Sequence, residues 1–181
     1  MQLEFILSGF GGQGALLAGT VLAQAGLDSG RNVTWLPSYG PEMRGGTAHV
    51  TVIIGDEEIG SPLVRCPQAA LVLNNPSLEK YEPLVQPGGV LVYNSSLIAP
   101  VSRRTDIHYI AVPAGDIAAE LGDIKVTNMV ALGALVAATH VVSLAAVKQA
   151  LSQHLPQSKR ELLAANEQAL QRGAQSAASD P

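Results

Sequence analysis

Residues Leu3 to Leu7 form a short apolar run that stops at Ser8-Gly9, the pattern of a strand buried on both faces. From Ala15 to Ala25 the chain is almost wholly small and apolar, as a helix packed on a sheet is, and Gly26 and Gly30 suit its end. Asn32 to Leu36 reads as a second strand. The first forty residues therefore predict a strand–helix–strand unit with a right-handed crossover. Pro37 to Gly46 is then expected as a loop, and His49 to Ile54 as a third strand. In that strand Val50, Val52 and Ile54 face the core and His49, Thr51 and Ile53 point away. Gly55-Asp56 suggests a turn into a short strand near Ile59. Ala69 to Leu73, Val90 to Tyr93 and Ile107 to Val112 are further strands, with a short helix over Pro76 to Tyr81.

Helical patterns fill the rest: Ala114 to Leu121, Asn128 to Thr139, Ser143 to Gln153 and Ser158 to Arg172. Thr127 and Ser143 are expected as N-caps, and Ser158 with Glu161 as a capping box. Gly173 to Pro181 reads as a frayed end. Alternating strands and helices predict an α/β fold, a three-layer Rossmann-like sandwich with a mostly parallel sheet and a helical C-terminal part. A single domain over residues 1–175, with a tail at 176–181, fits the length of 181 residues.

Composition adds one feature. Charged residues make up 14% of the chain, against about 25% in a typical soluble domain. Either an Ala- and Val-rich core or a surface hidden against partner chains accounts for that. The formal net charge of −4 and the absence of a basic patch give no support to nucleic-acid binding. The one cysteine, Cys66, excludes an internal disulfide, and an iron–sulfur cluster held by this chain alone. The N-terminus lacks the charged region of a signal peptide, and the apolar stretch Met129 to Val142 is too short to span a membrane, so a cytoplasmic setting without membrane contact is expected.

The candidate chemistry starts at Gly9-Phe10-Gly11-Gly12-Gln13-Gly14, a G-x-G-x-x-G pattern between strand and helix. There the glycines permit a tight turn and close approach of a phosphate, and a helix N-terminus offers free N–H groups. Gly9, Gly11, Gly12, Gln13 and Gly14 are therefore cofactor-binding candidates. A dinucleotide site also wants an acid at the end of the second strand, and Thr34-Trp35-Leu36-Pro37-Ser38 has none. Three readings stay open: a simple turn, a phosphate-bearing ligand, or a partner chain.

The second signature is Pro37-Ser38-Tyr39-Gly40-Pro41-Glu42-Met43-Arg44-Gly45-Gly46-Thr47. Together with the glycine loop, Ile59-Gly60-Ser61-Pro62 and Pro87-Gly88-Gly89 leading to Tyr93-Asn94-Ser95-Ser96, it resembles the gamma subunits of the 2-oxoacid:ferredoxin oxidoreductase family over roughly residues 3 to 130. The resemblance implies a Rossmann-like piece of a complex that oxidatively decarboxylates a 2-oxoacid to an acyl-CoA. Ferredoxin accepts the electrons. Thiamine diphosphate, magnesium and iron–sulfur clusters belong to alpha, beta and delta partners, and this chain alone binds none of them. It leans toward 2-oxoglutarate or branched-chain 2-oxoacids as substrates. A free-standing dinucleotide-binding enzyme and a purely structural assembly domain are the alternatives.

Physically, Pro37 and Pro41 restrict the second loop, and Gly40, Gly45 and Gly46 leave its backbone bare. Tyr39, Pro41, Glu42, Met43 and Arg44 are the expected partner interface. Arg44 either braces the loop against Glu42 or offers its planar fork to a partner carboxylate or to an anionic group of coenzyme A. His49, His108, His140 and His154 lack metal-ligand spacing, and Ser8, Ser38 and Ser61 lack a nucleophile elbow. Asn94-Ser95-Ser96, at a strand's carboxyl end, and Lys125, at a helix start, are the remaining candidates.

Overall fold

The computed structural model describes residues 1–38, 47–99, 104–155 and 157–178. The expected interface residues Tyr39, Pro41, Glu42, Met43 and Arg44 lie outside the described residues. Six strands form one sheet: β1 (Gln2–Phe10), β2 (Asn32–Ser38), β3 (Thr47–Gly55), β4 (Ala69–Val72), β5 (Val90–Asn94) and β6 (His108–Val112), in the spatial order β2-β3-β1-β4-β5-β6. β1, β4, β5 and β6 run parallel to one another. β3 runs antiparallel to both β1 and β2, pairing Phe5 with Val52 and Trp35 with Val52 on its two sides.

This departs from the simple strand–helix–strand unit. β1 and β2 point the same way but are not neighbours, because β3 lies between them. An interior strand needs apolar side chains on both faces, and Val50, Thr51, Val52, Ile53 and Ile54 are all buried. Thr51 and Ile53 do alternate against Val50, Val52 and Ile54, but the face they point to is buried as well. β2 continues through Pro37 and Ser38, which were expected in the loop; it is the sheet's edge, where a proline is tolerated. No strand forms near Ile59 among the described residues.

The helices are α1 (Ala15–Asp28), α2 (Asn75–Tyr81), α3 (Ala114–Glu120), α4 (Thr127–Thr139), α5 (Leu144–His154) and α6 (Leu163–Ala178). The two layers they form are unequal. Phe5, Leu7, Val50, Val52, Leu71 and Val92 bury one sheet face under α1, α4, α5 and α6. The other face, with Ile6, Ala70, Val72, Leu91 and Tyr93, is covered by Tyr81, Val85, Ile98 and Ile107 from α2 and connecting segments. α4 and α6 cross at two glycines. A Cβ on Gly133 would lie 2.1 Å from the Leu170 carbonyl oxygen, and one on Gly173 1.8 Å from that of Val130.

Three local expectations change. Residues Gln157–Leu162 form a 3-10 turn, and α6 starts at Leu163, later than the helix start expected at position 158. Gly173 to Ala178 continue that helix instead of fraying. Thr127 is the first residue of α4 and not its cap; its hydroxyl donates to the Ile124 carbonyl at 2.7 Å. The cap is at Asp123, whose carboxylate accepts from Lys125 N at 2.9 Å and holds the turn before α4. Ser143 does cap α5, accepting from Ala146 N at 3.1 Å.

Candidate ligand site

The glycine pattern forms the turn from β1 into α1. Gly12 and Gly14 have φ of 96° and 80°, the left-handed region that side chains avoid. Gly14 is also crowded: a Cβ there would lie 2.4 Å from Asn128 Nδ2. That amide reaches across from α4 and donates to the Gly14 carbonyl at 3.1 Å. Gly9, still inside β1, leaves room for Gln13; a Cβ on it would sit 3.0 Å from Gln13 Oε1.

Gln13 folds back over the strand ends. Its Oε1 accepts from Phe10 N at 2.7 Å and from Asn74 Nδ2 at 2.9 Å. Asn74 in turn caps α2, its Oδ1 accepting from Ser77 N at 2.9 Å. The Ser77 hydroxyl meets that of Ser8 at 2.9 Å, and Ser8 Oγ donates to the Ala48 carbonyl at 3.1 Å. A buried polar chain thus ties β1, β3, β4 and α2 together. In open α/β sheets the crevice between strands whose helices leave to opposite faces takes the ligand. Here β1 leads into α1 on one face and β4 into α2 on the other, and Gln13 fills that crevice.

The open space is displaced over β4 and β5. A cleft of about 500 Å³ has Gly12, Gln13, Leu73 and Asn94 among its lining residues, with Ser96, Asp116 and Lys125 also facing it. That size suits a small ligand. Asn94 ends β5 and is fully buried. Its Oδ1 accepts from Ser96 N at 3.2 Å and Gly115 N at 3.3 Å. Two N–H donors fix the amide's orientation, so Nδ2 must face elsewhere, and it is buried without a partner among the described residues. Beside it Ser96 Oγ donates to the Asp116 carboxylate at 3.0 Å and accepts from Asp116 N at 3.0 Å. A second, more apolar cleft of about 580 Å³ includes Phe10, Leu16, Leu17, Leu155 and Leu162 in its walls. The two clefts share Gly12 and Lys125.

Of the residues expected at a ligand, Gly12 and Gln13 line the first cleft, and Gly11, Gly12 and Gly14 the second. Gly9 lines neither; its part is to admit Gln13. Arg44 lies outside the described residues. Asn94, Ser96 and Lys125 do come together at the cleft. Asn74 and Asn128 escaped sequence reading, although Asn74 stands directly after the apolar run of β4 just as Asn94 ends that of β5. His49 lines neither cleft. Its ring packs 5.4 Å from that of Tyr81, and burial, aided by the Lys80 charge, holds its pKa below the ordinary 6.5.

Comparison with known proteins follows the same outline. The pattern of the family described as pyruvate ferredoxin/flavodoxin oxidoreductase matches residues 4–176. Ketoisovalerate oxidoreductase subunit VorA of Methanothermobacter marburgensis is 41% identical over 136 residues, which are 75% of this chain and 28% of VorA. The chain thus spans about a quarter of the length of that relative. The 2-oxoglutarate synthase subunit KorC of the same organism is 37% identical over 168 residues, covering 89% of this chain and 90% of KorC. Among solved structures, the gamma subunit of a keto/oxoacid ferredoxin oxidoreductase from Geobacter sulfurreducens superposes with a TM-score of 0.83 at 35% identity, over 98% of this chain and 99% of that one.

Proposed function

The chain belongs to the pyruvate ferredoxin/flavodoxin oxidoreductase family, and from that premise we propose that it is the gamma subunit of a 2-oxoacid:ferredoxin oxidoreductase. The complex oxidatively decarboxylates a 2-oxoacid to an acyl-CoA and passes the electrons to ferredoxin. Alpha and beta subunits, with a small delta subunit, are the partners of this chain, and the assembly works in the cytoplasm. Among the described residues no helix is long and apolar enough to cross a membrane.

The observation that carries this reading is the end-to-end likeness to KorC, which extends through 90% of that subunit and not just across a glycine motif. Residues 1–175 act as one domain in it. Thiamine diphosphate, magnesium and the clusters are assigned to the partner subunits. The residues present do not fit a cluster: Cys66 is the chain's one thiol and is exposed, where a cluster takes about four. A dinucleotide-dependent enzyme fits poorly too. β3 stands where such a fold carries the strand whose end holds the ribose-binding acid. The role left to this chain is assembly plus a contact with coenzyme A, through the glycine turn and Arg44.

The test is reconstitution. The chain is co-expressed with thiamine-binding and cluster-binding partner chains, and acyl-CoA formation and ferredoxin reduction are measured with 2-oxoglutarate and with ketoisovalerate. Stable co-purification and loss of activity when this chain is omitted are expected. A complex that forms and turns over equally well without it overturns the proposal.

A further inference from the structure

Asn128 is a buried amide at the start of an apolar helix. It stands second in α4 and is 2% exposed, and Met129, Val130, Ala131 and Leu132 are buried after it. Asn is a poor helix former, and a buried amide costs stability unless its ends are bonded. Both ends are bonded here. Oδ1 accepts from Met129 N at 3.0 Å, and Nδ2 donates to the Gly14 carbonyl at 3.1 Å. One end faces a donor and the other an acceptor, so the amide has a single orientation. The Gly14 carbonyl does not need this bond for its own satisfaction. It already accepts from Ala18 N at 3.0 Å, the first bond of α1. What Asn128 adds is a fixed position for the peptide plane that ends the glycine turn.

The turn is pinned at two points. Upstream, Gln13 Oε1 accepts from Phe10 N at 2.7 Å, and Gln13 N donates to the Phe10 carbonyl at 3.0 Å. Downstream, Asn128 holds Gly14, so closely that a Cβ on Gly14 would lie 2.4 Å from its Nδ2. Between the pins Gly11 and Gly12 are exposed, and a Cβ on Gly12 would meet nothing within 4 Å. Glycine has the widest choice of backbone conformations, so a bare, exposed pair keeps one geometry only when the residues on either side are held. α4 is suited to hold one side, since it packs against α1, α3, α6 and β5.

We propose that Asn128 is a positioning residue for the glycine turn: its amide sets the direction in which Gly11 and Gly12 present their backbone, and so the affinity of that backbone for coenzyme A. The inference rests on the reading above that the turn contacts coenzyme A. It places a determinant of that contact on α4, acting through Gly14 and not on the ligand.

Two measurements test it. Hydrogen exchange of the whole chain reads the turn directly. Asn128→Ala removes the bond to Gly14 and should speed exchange at Gln13 and Ala18 about tenfold or more, with β5 and α6 protected as in the parent. In the reconstituted enzyme, Asn128→Ala and Asn128→Asp should each raise KM for coenzyme A about tenfold, with kcat and KM for the 2-oxoacid changed by less than about twofold. Asn128→Asp keeps the acceptor for Met129 N but sets an oxygen against the Gly14 carbonyl, so it should be the worse of the two. A merely structural role would lower the melting temperature and the yield of active enzyme without moving KM for one substrate. Gly12→Ala, inside the turn, tests the contact itself. An unchanged KM for coenzyme A in Gly12→Ala sinks the contact and this inference with it. A raised KM in Gly12→Ala beside parental values in both Asn128 variants, or unchanged exchange at Gln13 and Ala18, sinks the positioning role alone.

Discussion

Gln13 and Asn74 hold the carboxyl ends of β1 and β4 together: the Gln13 side-chain oxygen accepts from the Asn74 amide at 2.9 Å and from Phe10 N at 2.7 Å. Gln13→Ala leaves two donors without their acceptor. The expected loss of stability is about 1–3 kcal/mol, read from denaturant unfolding. Gln13→Glu keeps the acceptor and should recover most of that loss at neutral pH. An alanine variant as stable as the parent would mean that water replaces the amide at no cost.

The crossing of α4 and α6 is a second place where one atom decides. The groups that a methyl on Gly173 or Gly133 would meet are backbone carbonyls, which cannot swing aside as the end of a side chain can. Gly173→Ala and Gly133→Ala are therefore each expected to push the helices apart, at about 1–3 kcal/mol or more. In a chain of this size that corresponds to roughly 2–4 °C of melting temperature per kcal/mol. Gly30→Ala is not a control for this, since Gly30 has positive φ; Gly60→Ala, with open space around it, is.

His49 gives the fold a pH dependence of definite sign. Burial, then the Lys80 charge, lowers its pKa in the folded chain relative to the ordinary 6.5. The unfolded chain thus takes up the proton first as pH falls. Stability from this residue is present above about pH 6.5, declines as pH drops below that value and levels off below the folded pKa. The difference in unfolding free energy between the parent and His49→Gln, followed from pH 8 to pH 5, should narrow on acidification. A difference independent of pH would show that His49 titrates alike in both states.

Arg44→Ala tests the second signature loop, which lies outside the described residues. If Arg44 serves a partner or an anionic ligand, the lone chain should keep its stability to within about 0.5 kcal/mol. The reconstituted enzyme should meanwhile lose about 2–5 kcal/mol of that interaction. A raised KM for coenzyme A with normal assembly points to the ligand, and lost assembly to the partner. A large fall in melting temperature points instead to a brace between Glu42 and Arg44.

Much of this architecture was legible from hydrophobic period alone. β1, β4, β5 and β6 are short apolar runs ended by Gly, Asn or Pro, and α1, α4 and α5 carry long apolar patterns with plain stop signals. What the pattern could not convey was pairing. Val50 to Ile54 is apolar throughout except for Thr51, and its alternation alone does not say that both faces are covered. Only its place between β1 and β2 explains why Ile53 is buried as fully as Val52. The start of α6 was misjudged because Ser158 and Glu161 match a capping box in sequence, while the chain there winds as a 3-10 turn. At the site, the glycine turn and Asn94 to Ser96 were readable because each adjoins a strand end. The amides of Asn74 and Asn128 act across sixty-one and one hundred and fourteen residues of chain, which no local pattern encodes.

The place of β3 also sets the order in which the sheet can assemble. Ser38 and His49 are paired and close along the chain, so the β2–β3 ribbon closes a short loop. β1 has no such neighbour: Phe5 pairs with Val52 on one side and Ala69 on the other. Closing those longer loops costs more entropy before any contact repays it. On loop-closure grounds β1 is therefore expected to dock late, between the β2–β3 ribbon and the parallel half, an order that pulsed hydrogen exchange during refolding would check. A chain with β1 undocked would leave the β3 and β4 edges unpaired, which is where pairing with another chain is expected.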